Sequence, residues 1–334
     1  MALEQRVPPP PKRSGWTVLR RLLQAIKRLR AGVRSAGVSQ SGTNSMVTLT
    51  FSRPPEDLTQ YMKGKQQYAN NIGGFSDVYK CVLAKPGEPS TIVAVKGLRL
   101  PAGDAEVLEK RGKKLRAEVH VWIRLDHPNV LKLCGIADGF SPLPALVSPW
   151  AENGTLTIFL EGPGLEISKS KRISILVKVG EALHYIHSEH VVHGDLTGSN
   201  ILINGKGQPL ISDFGLSSIL EDYNETSYFK SHMPGAFRWV APELLADLQT
   251  LPKPSIESDI YSYGCVMLHT LSGKVPYSEI RDVHVPYTKI NGAYPERPTD
   301  LPIEETHWDM ILNCLNATPG NRPKLPDIIG FLSR

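Results

Sequence analysis

The chain has 334 residues, 41% hydrophobic and 21% charged, a composition typical of a globular protein with one large bilobal domain or two ordinary domains. No apolar run approaches the ~18–20 residues that a membrane-spanning helix needs, so we expect no transmembrane segment. The four cysteines are scattered without C-x-x-C spacing, which argues against a disulfide framework or a zinc site and predicts a reducing, cytoplasmic setting.

The basic charge is concentrated in the first 45 residues. These hold nine Lys or Arg and one acidic residue, whereas the rest of the chain holds 29 basic and 32 acidic residues. The formal net charge of +5 therefore belongs to the tail, and we predict no nucleic-acid partner for the main domain.

A basic amphipathic helix is predicted within this tail. Apolar residues recur at helical spacing from Trp16 to Val33, between a proline run at 8–11 and a Ser/Gly-rich linker at 35–45. Three roles stay open: contact with an anionic membrane surface, contact with a partner protein, and organelle targeting. The alternative is a helix that docks on the adjacent domain, or an arm without fixed structure.

From about residue 58 the pattern is that of one domain in two halves. The first half is predicted to hold one helix and four β-type runs, at 105–125, 78–83, 92–98, 131–136 and 145–148. The second half has longer helical segments, such as 170–188 and 256–271. Whether 100–114 is the start of the helix or an insert stays open.

Two short motifs carry most of the chemical information. Residues 193–200 read H-G-D-L-T-G-S-N and place a candidate base, Asp195, five residues before a candidate metal ligand, Asn200. Residues 213–215 read D-F-G and supply a second candidate ligand, Asp213, thirteen residues later. Carboxylate and amide oxygens are hard ligands that suit Mg²⁺.

Two further candidates stand upstream. The alternating strand V-A-V-K ends in Lys96, and Glu118 lies in a helical stretch nine residues before the H-P-N that begins at His127. A single Lys or Glu is normally a solvated surface charge. Five features follow one another in order here: strand Lys, helix Glu, H-P-N, H-x-D and D-F-G. Together they indicate a catalytic role for Lys96 and Glu118 far more specifically than either residue does alone.

In this order the motifs resemble those of eukaryotic-type protein kinases, whose catalytic loop reads H-R-D-L-x-x-x-N and is followed by D-F-G. The resemblance covers about residues 58–334. The wording at 238–243, 259–264 and 273–277 is similar to the tyrosine-kinase-like serine/threonine group, and the catalytic loop is similar to that of kinases expanded in mushroom-forming fungi.

The resemblance implies an α+β bilobal kinase fold behind a basic tail at 1–45. Its parts are a small β-rich N-lobe with one main helix (about 66–147), a hinge (148–152) and a large, mainly helical C-lobe (153–334). It also implies ATP and Mg²⁺ as cofactors and a protein as substrate.

The same resemblance assigns roles to the chemical residues. Asp195 would accept the proton of the substrate hydroxyl or orient that hydroxyl, and Asn200 and Asp213 would hold Mg²⁺. Lys96 would hold the α- and β-phosphates of ATP while pairing with Glu118.

A nucleotide pocket follows from the resemblance as well. Ser148 would lie behind the adenine, the Pro149 carbonyl and the Ala151 N–H would face its edge, and three apolar side chains would sandwich it: Val78, Ala94 and Leu202. The glycine-rich loop over the phosphates would be formed by Ile72, Gly73, Gly74 and Phe75.

Three structural roles complete the resemblance. Asp259 would anchor the catalytic loop, and Glu243 would pair with Arg322 in the C-lobe. A hydrophobic column that locks the active state would contain His193, Phe214, Trp122 and Leu133.

The chain departs from the kinase pattern at several positions. Gly194 replaces the Arg that binds a phosphate on the activation loop. We therefore expect the activity to be regulated by something other than phosphorylation of that loop. Thr197 replaces the Lys that steadies the γ-phosphate, and Ala236 replaces a Thr that bridges this Lys and the base. Asn71 and Ser76 replace two glycines of the phosphate loop, which predicts weaker phosphate capture.

Three functions are therefore open. The leading hypothesis is an ATP- and Mg²⁺-dependent kinase of Ser or Thr in proteins, and the second is a nucleotide-binding pseudokinase that acts as a scaffold or allosteric partner. A kinase-fold enzyme for small molecules is disfavoured, because A-P-E at 241–243 and a full activation segment serve protein substrates.

Overall fold

The computed structural model describes residues 55–65, 71–72, 76–99, 105–213, 236–246 and 252–334. The predicted tail helix and linker lie outside these ranges, and their role stays a prediction together with the cytoplasmic location. Within the described ranges, no helix combines the length and the apolar character needed to cross a membrane.

One antiparallel sheet forms the first half of the domain. Its strands are β1 (Met62–Lys63), β2 (Asn71–Ile72), β3 (Ser76–Leu83), β4 (Thr91–Leu98), β5 (Gly135–Ala137) and β6 (Ala145–Pro149). They are ordered β1-β3-β4-β6-β5, and β2 also pairs with β3. The sheet begins before residue 66, the predicted start of the N-lobe, because β1 pairs with the end of β3 and Leu58 is buried in the N-lobe core.

The central strand β4 shows why this sheet has two different faces. Successive side chains of a strand point to opposite sides, and Val93 and Val95 are buried in the N-lobe core. Ala94 and Lys96 alternate with them and are therefore presented on the other face. A β-branched, apolar inner row and a mixed outer row fit a sheet that is covered on one side only.

The run predicted as a strand at 131–136 is a strand only from Gly135. The Leu131 N–H donates instead to the Ile211 carbonyl at 2.8 Å, in the C-terminal half of the domain. Because the start of the run bonds to that half and not to a neighbouring N-lobe strand, the predicted boundary was four residues early.

The main helix of the N-lobe, α1 (Ala105–Trp122), begins at residue 105, so the segment 105–114 belongs to the helix and is not an insert. It ends within a few residues of the H-P-N motif, as predicted, because a residue before proline avoids the helical region. The Trp122 indole N–H donates to the Leu131 carbonyl and ties the end of the helix to the chain that follows.

Helices form most of the second half. They are α2 (Leu156–Glu161), α3 (Lys169–Ser188), α4 (Glu243–Ala246), α5 (Ile256–Ser272), α6 (Val285–Ile290), α7 (Glu305–Cys314) and α8 (Leu325–Leu332). A two-stranded hairpin, β7 (Ile201–Ile203) and β8 (Pro209–Ile211), lies against α3. The predicted α+β fold, a small β-rich N-lobe with one main helix and a larger helical C-lobe, is confirmed.

Helix α5 is the centre of the C-lobe, since every residue from Ser258 to Ser272 is buried. Its start is fixed by a capping box. The Ser255 hydroxyl oxygen accepts the Ser258 backbone N–H, and the Ser258 hydroxyl oxygen accepts the Ser255 backbone N–H. It ends at Gly273, which takes the left-handed conformation (φ 74°) that glycine adopts without strain. Most polar groups of a helix buried on all sides have hydrogen-bond partners, as Asp259, Ser262 and Ser272 of α5 do.

The predicted ion pair between Glu243 and Arg322 is confirmed. The two guanidinium nitrogens each donate to one carboxylate oxygen at 2.7 Å, and the same side chain also donates to the Glu257 and Asn316 carbonyls. The Arg322 side chain is fully buried, so this bidentate pair joins α4 to the end of the C-lobe in a nearly dry environment.

We predict that Arg322→Met lowers the free energy of unfolding by about 3 kcal/mol, because it leaves the Glu243 carboxylate and two backbone carbonyls without their donor. Urea denaturation at neutral pH measures the change. The control is Lys113→Met, which breaks an exposed pair with Glu109 within α1 and should cost less than about 0.5 kcal/mol. Equal losses in the two variants would contradict the structural role.

Candidate active site

The catalytic loop is anchored to α5 through Asp259. The buried Asp259 carboxylate accepts the His193 and Gly194 backbone N–H groups at 2.8 Å each, and His187 Nε2 donates to the same carboxylate at 2.8 Å. Gly194 lies in the left-handed region (φ 75°), a conformation that glycine adopts most easily. The predicted anchoring role of Asp259 is confirmed, and it places Asp195 directly after the anchored peptide.

Asn200 is oriented by Asp195. Its amide nitrogen donates to the Asp195 carbonyl at 2.8 Å and to Asp195 Oδ2 at 2.9 Å. Because the amide nitrogen is committed to these two acceptors, the amide oxygen points away from them and is available as a ligand.

Asp213 is placed beside Asn200 through the intervening Ser212. The Ser212 backbone N–H and hydroxyl both donate to the Asn200 carbonyl, at 2.8 and 2.9 Å. Asp213 itself has φ 63°, a left-handed conformation that costs a residue with a Cβ free energy and that is found at functional sites. The chain therefore turns sharply at this residue.

Lys96 on β4 forms an ion pair with Asp213 and so joins the two lobes. Burial lowers the pKa of Lys96, but the negative charges of Asp213, Glu118 and Asp195 together outweigh burial and leave the pKa raised. Glu118, on α1, is buried. The structure thus brings four of the predicted residues within electrostatic reach of one another, and Lys96 stays a cation at neutral pH.

The donor set fits a hard divalent cation. The Asp213 carboxylate and the Asn200 amide oxygen are the oxygen ligands that Mg²⁺ accepts, and Mg²⁺ commonly takes few protein ligands beside phosphates and waters. The described residues contain no cluster of three or more His, Cys, Asp or Glu that could hold a metal ion by protein ligands alone. The Asp213 and Asn200 pair is a different kind of site, with two protein ligands.

Four predicted nucleotide-binding residues share one face of the N-lobe sheet. Val78 is paired with Lys96 across β3 and β4, and Ala94 is paired with Ser148 across β4 and β6. Directly paired residues point to the same side, as do residues two apart on one strand. Val78, Ala94 and Ser148 therefore lie on the face that carries the Lys96 ammonium.

The predicted hinge lies at the end of β6 and directly after it. Pro149 is the exposed last residue of β6, and the Trp150 N–H donates to the Ile92 carbonyl at 3.3 Å. The Ala151 N–H makes no hydrogen bond to the described residues, which leaves a donor for an adenine edge. Leu202 lies on β7 in the C-lobe and bridges to Thr155, just after the hinge.

The phosphate loop is described only in part. Ile72 lies on β2 and pairs with Asp77. Gly73, Gly74 and Phe75 lie outside the described residues, as does Phe214 of the predicted hydrophobic column.

Thr197 lies inside the catalytic loop. It is 6% exposed, and its hydroxyl accepts the Ser199 N–H at 3.2 Å. A Cβ at Gly198 would lie 2.6 Å from Thr157 Oγ1 and 2.8 Å from His269 Nδ1, so no longer side chain fits there without rearrangement. Neither position replaces the cation that the kinase pattern has here.

Sequence reasoning missed His269, which lies directly beneath the catalytic loop on α5. The residue is 0% exposed, its ring centre lies 5.3 Å from that of Trp239 with the ring planes tilted by 57°, and neither ring nitrogen bonds to any described group. Burial, with a smaller contribution from the Arg172 charge, lowers its pKa to about 4. The signal available in the sequence was one histidine within an otherwise apolar run of a helix, which is also how an ordinary core histidine looks.

We predict that acid destabilises the domain partly through His269. Its pKa is near 4 in the folded chain and 6.5 in the unfolded chain, so the unfolded chain binds more protons between these values. The stabilisation is complete above pH 6.5 and is lost as the pH falls towards 4, by roughly 2–3 kcal/mol. His269→Leu removes this titration.

The measurement is the free energy of unfolding from pH 7.5 to 4.5 in wild type and variant. The free energy of unfolding of the wild type minus that of His269→Leu removes the contribution of all other titrating groups. This difference should shrink or reverse as the pH falls from 6.5 towards 4.5. Parallel curves for the two proteins would show that His269 does not titrate as described.

A sequence profile of the family described as "Protein tyrosine and serine/threonine kinase" matches residues 69–332. Ephrin type-A receptor 4-A of Xenopus laevis is 30% identical over 292 residues, and Ephrin type-A receptor 5 of Rattus norvegicus is 31% identical over 294 residues. Each alignment covers 85% of this chain and 28% of the receptor. The chain thus spans little more than a quarter of the length of these relatives.

Proposed function

Because the chain belongs to the protein tyrosine and serine/threonine kinase family, we propose that it transfers the γ-phosphate of ATP to Ser or Thr hydroxyls of protein substrates. One observation carries this proposal. Lys96 is paired with Asp213, and Asn200 is bonded to Asp195, so the cation, the two metal-ligand candidates and the base form one cluster.

Each residue of the cluster has a separate task in the proposed reaction. Asp195 accepts the proton of the acceptor hydroxyl, or orients that hydroxyl for in-line attack. Lys96 neutralises phosphate charge, and Asp213 and Asn200 hold Mg²⁺, which supplies further neutralisation of the phosphates when bound. Phosphoryl transfer needs positioning and electrostatic stabilisation more than covalent chemistry, and this cluster supplies both.

The choice of Ser or Thr over Tyr is part of the proposal, as is membership of the tyrosine-kinase-like serine/threonine group. It is supported by residues 238–243, 259–264 and 273–277, which resemble that group. The catalytic loop does not favour either acceptor, because it lacks both the Lys of serine/threonine kinases, at Thr197, and the Arg of tyrosine kinases, at Gly198 or Ser199.

A second candidate function, a nucleotide-binding pseudokinase, is favoured by one specific observation. Thr197 turns its hydroxyl into the loop and leaves the γ-phosphate without the usual lysine. Loss of one charge-assisted contact in the transition state costs about 10²–10³ in rate. The retained Asp195, Asn200 and Asp213 favour a slow kinase over an inactive one, because a scaffold needs no catalytic base.

The proposed function predicts that Asp195→Asn lowers phosphate transfer by at least ~10²-fold while ATP still raises the melting temperature. The assay follows γ-phosphate transfer from Mg-ATP to mixed histones and to the chain itself, with phosphoamino-acid analysis of the products. Asp309→Asn, an exposed carboxylate on α7, is the matched control and should retain full activity.

Phosphotyrosine as the main product would contradict the proposed acceptor. If wild type and Asp195→Asn are equally silent while ATP stabilises both, the pseudokinase is the correct reading.

A second prediction concerns the missing cation. Thr197→Lys should raise the rate of transfer by about 10-fold or more, since it restores a positive charge near the γ-phosphate. Thr197→Met is the control for side-chain length without charge. A rate that stays the same in both variants, with unchanged melting temperatures, would show that the missing charge does not limit the reaction.

A further inference from the structure

A lysine is buried in the C-lobe away from the catalytic cluster. Lys289, on α6, is 2% exposed, and its ammonium donates to the Arg238 carbonyl at 2.6 Å and to the Val240 carbonyl at 2.9 Å. Lysine is among the residues least often buried, since its charge must be compensated when water is removed. Two backbone carbonyls of one short segment provide that compensation here.

Aromatic rings complete the surroundings of the ammonium. Its nitrogen lies 4.8 Å from the centre of the Tyr261 ring and 5.0 Å from that of Tyr277, and the two tyrosine hydroxyls are 3.2 Å apart. Both ring faces attract a cation. Carbonyls and rings thus enclose Lys289, and a neutral side chain of the same length could not replace these contacts.

Lys289 holds residues 236–240, which begin at Ala236, where the kinase pattern has the Thr that bridges to the base; we call this segment the acceptor loop. Its side chains at 237, 239 and 240 are buried, and the Trp239 carbonyl accepts the Ser262 hydroxyl of α5 at 3.0 Å. The Trp239 ring also contacts that of His269 at a tilt, and His269 lies against the catalytic loop at Gly198. The acceptor loop is therefore packed next to the loop that carries Asp195.

A second set of contacts ties the acceptor loop to the same region. The Arg238 guanidinium donates to the Pro276 and Ile280 carbonyls at 2.9 and 2.7 Å and to Asp282 at 2.8 Å. The chain between α5 and α6 thus binds the Arg238 side chain, while Lys289 binds its carbonyl. Two anchors therefore fix the acceptor loop: Lys289 of α6 binds its backbone, and the chain between α5 and α6 binds the Arg238 side chain.

We propose that Lys289 is a positioning residue for the protein substrate, which fixes the backbone of the acceptor loop so that the acceptor segment lies beside Asp195. This inference rests on the proposed kinase function. It assigns Lys289 no contact with ATP and no part in proton transfer. Its loss should therefore weaken acceptor binding and leave nucleotide binding intact.

The charge of Lys289 can be changed without mutation. Burial lowers its pKa to about 8; the nearby Cys265 thiol and Glu243 act to raise it, whereas the Arg238 charge lowers it further. The other groups that face it stay unchanged to pH 9, since burial raises the pKa of Cys265 to about 11 and raises that of both tyrosines. The Arg322 guanidinium lies 5.2 Å from the centre of the Tyr261 ring and stays charged throughout this pH range.

The test compares Lys289→Met with Lys289→Arg and with Lys274→Met, a partly exposed lysine paired with Asp300 that serves as the matched control. Steady-state kinetics with mixed histones and ATP give KM for each substrate at pH 7 and pH 9. Hydrogen exchange of the backbone amides at 236–240 reports on the acceptor loop independently of activity.

We expect Lys289→Met to raise the KM for histones at least about tenfold, with the KM for ATP and the ATP-induced rise in melting temperature unchanged, and to speed exchange at 236–240. The wild-type KM for histones should rise roughly threefold from pH 7 to 9 as the ammonium loses its proton. This rise should be absent in Lys289→Met and in Lys289→Arg, which keeps its charge. If the arginine does not fit and that variant fails to fold, the pH comparison of wild type with the methionine variant decides.

An unchanged KM for histones in Lys289→Met overturns the proposal, as does a parallel rise in both KM values. A wild type that transfers no phosphate to histones or to itself refutes the kinase function. In that case faster exchange at 236–240 in the variant would show a merely structural anchor, and the proposed role of Lys289 would fall with the kinase function.

Discussion

The buried carboxylate of Asp259 is the interaction on which the geometry of the site depends. It lies on α5, whose residues from Ser258 to Ser272 are all buried, and receives three hydrogen bonds, two of them from consecutive backbone N–H groups of the catalytic loop. Bonds to a charged acceptor are shorter and stronger than neutral ones, and none of these competes with water. The loop that carries Asp195 therefore shares the rigidity of α5.

Three cationic side chains each join two elements of the domain. Lys96 joins β4 to Asp213, Arg322 joins the end of the C-lobe to Glu243, and Lys289 joins α6 to two carbonyls. Each is a long side chain that reaches from one element to the backbone or carboxylate of another. A buried or half-buried cation tolerates few alternative arrangements, because leaving its partners exposes an unpaired charge to an apolar surrounding.

Motif residues were predictable because chemistry restricts their identity. Asp195, Asn200 and Asp213 stand in an order that few other folds would need, and the α+β fold followed from the same resemblance. Lys289 and His269 were not predictable, since a lone lysine reads as a surface charge and a lone histidine as a core residue. Only the packing of α6 and the acceptor loop reveals what they contact. The strand boundary near Leu131 failed for a similar reason, because its hydrogen-bond partner lies in the other lobe.

Gly194 has a consequence for which residues its position can accept. Its backbone is left-handed (φ 75°) while its N–H donates to the Asp259 carboxylate at 2.8 Å. For any residue with a Cβ this conformation costs about 1–2 kcal/mol. An arginine substituted at Gly194 would therefore lower the stability of the catalytic loop by about this amount. The bond to Asp259 and the left-handed backbone together favour glycine at this position, whatever else the loop has to bind.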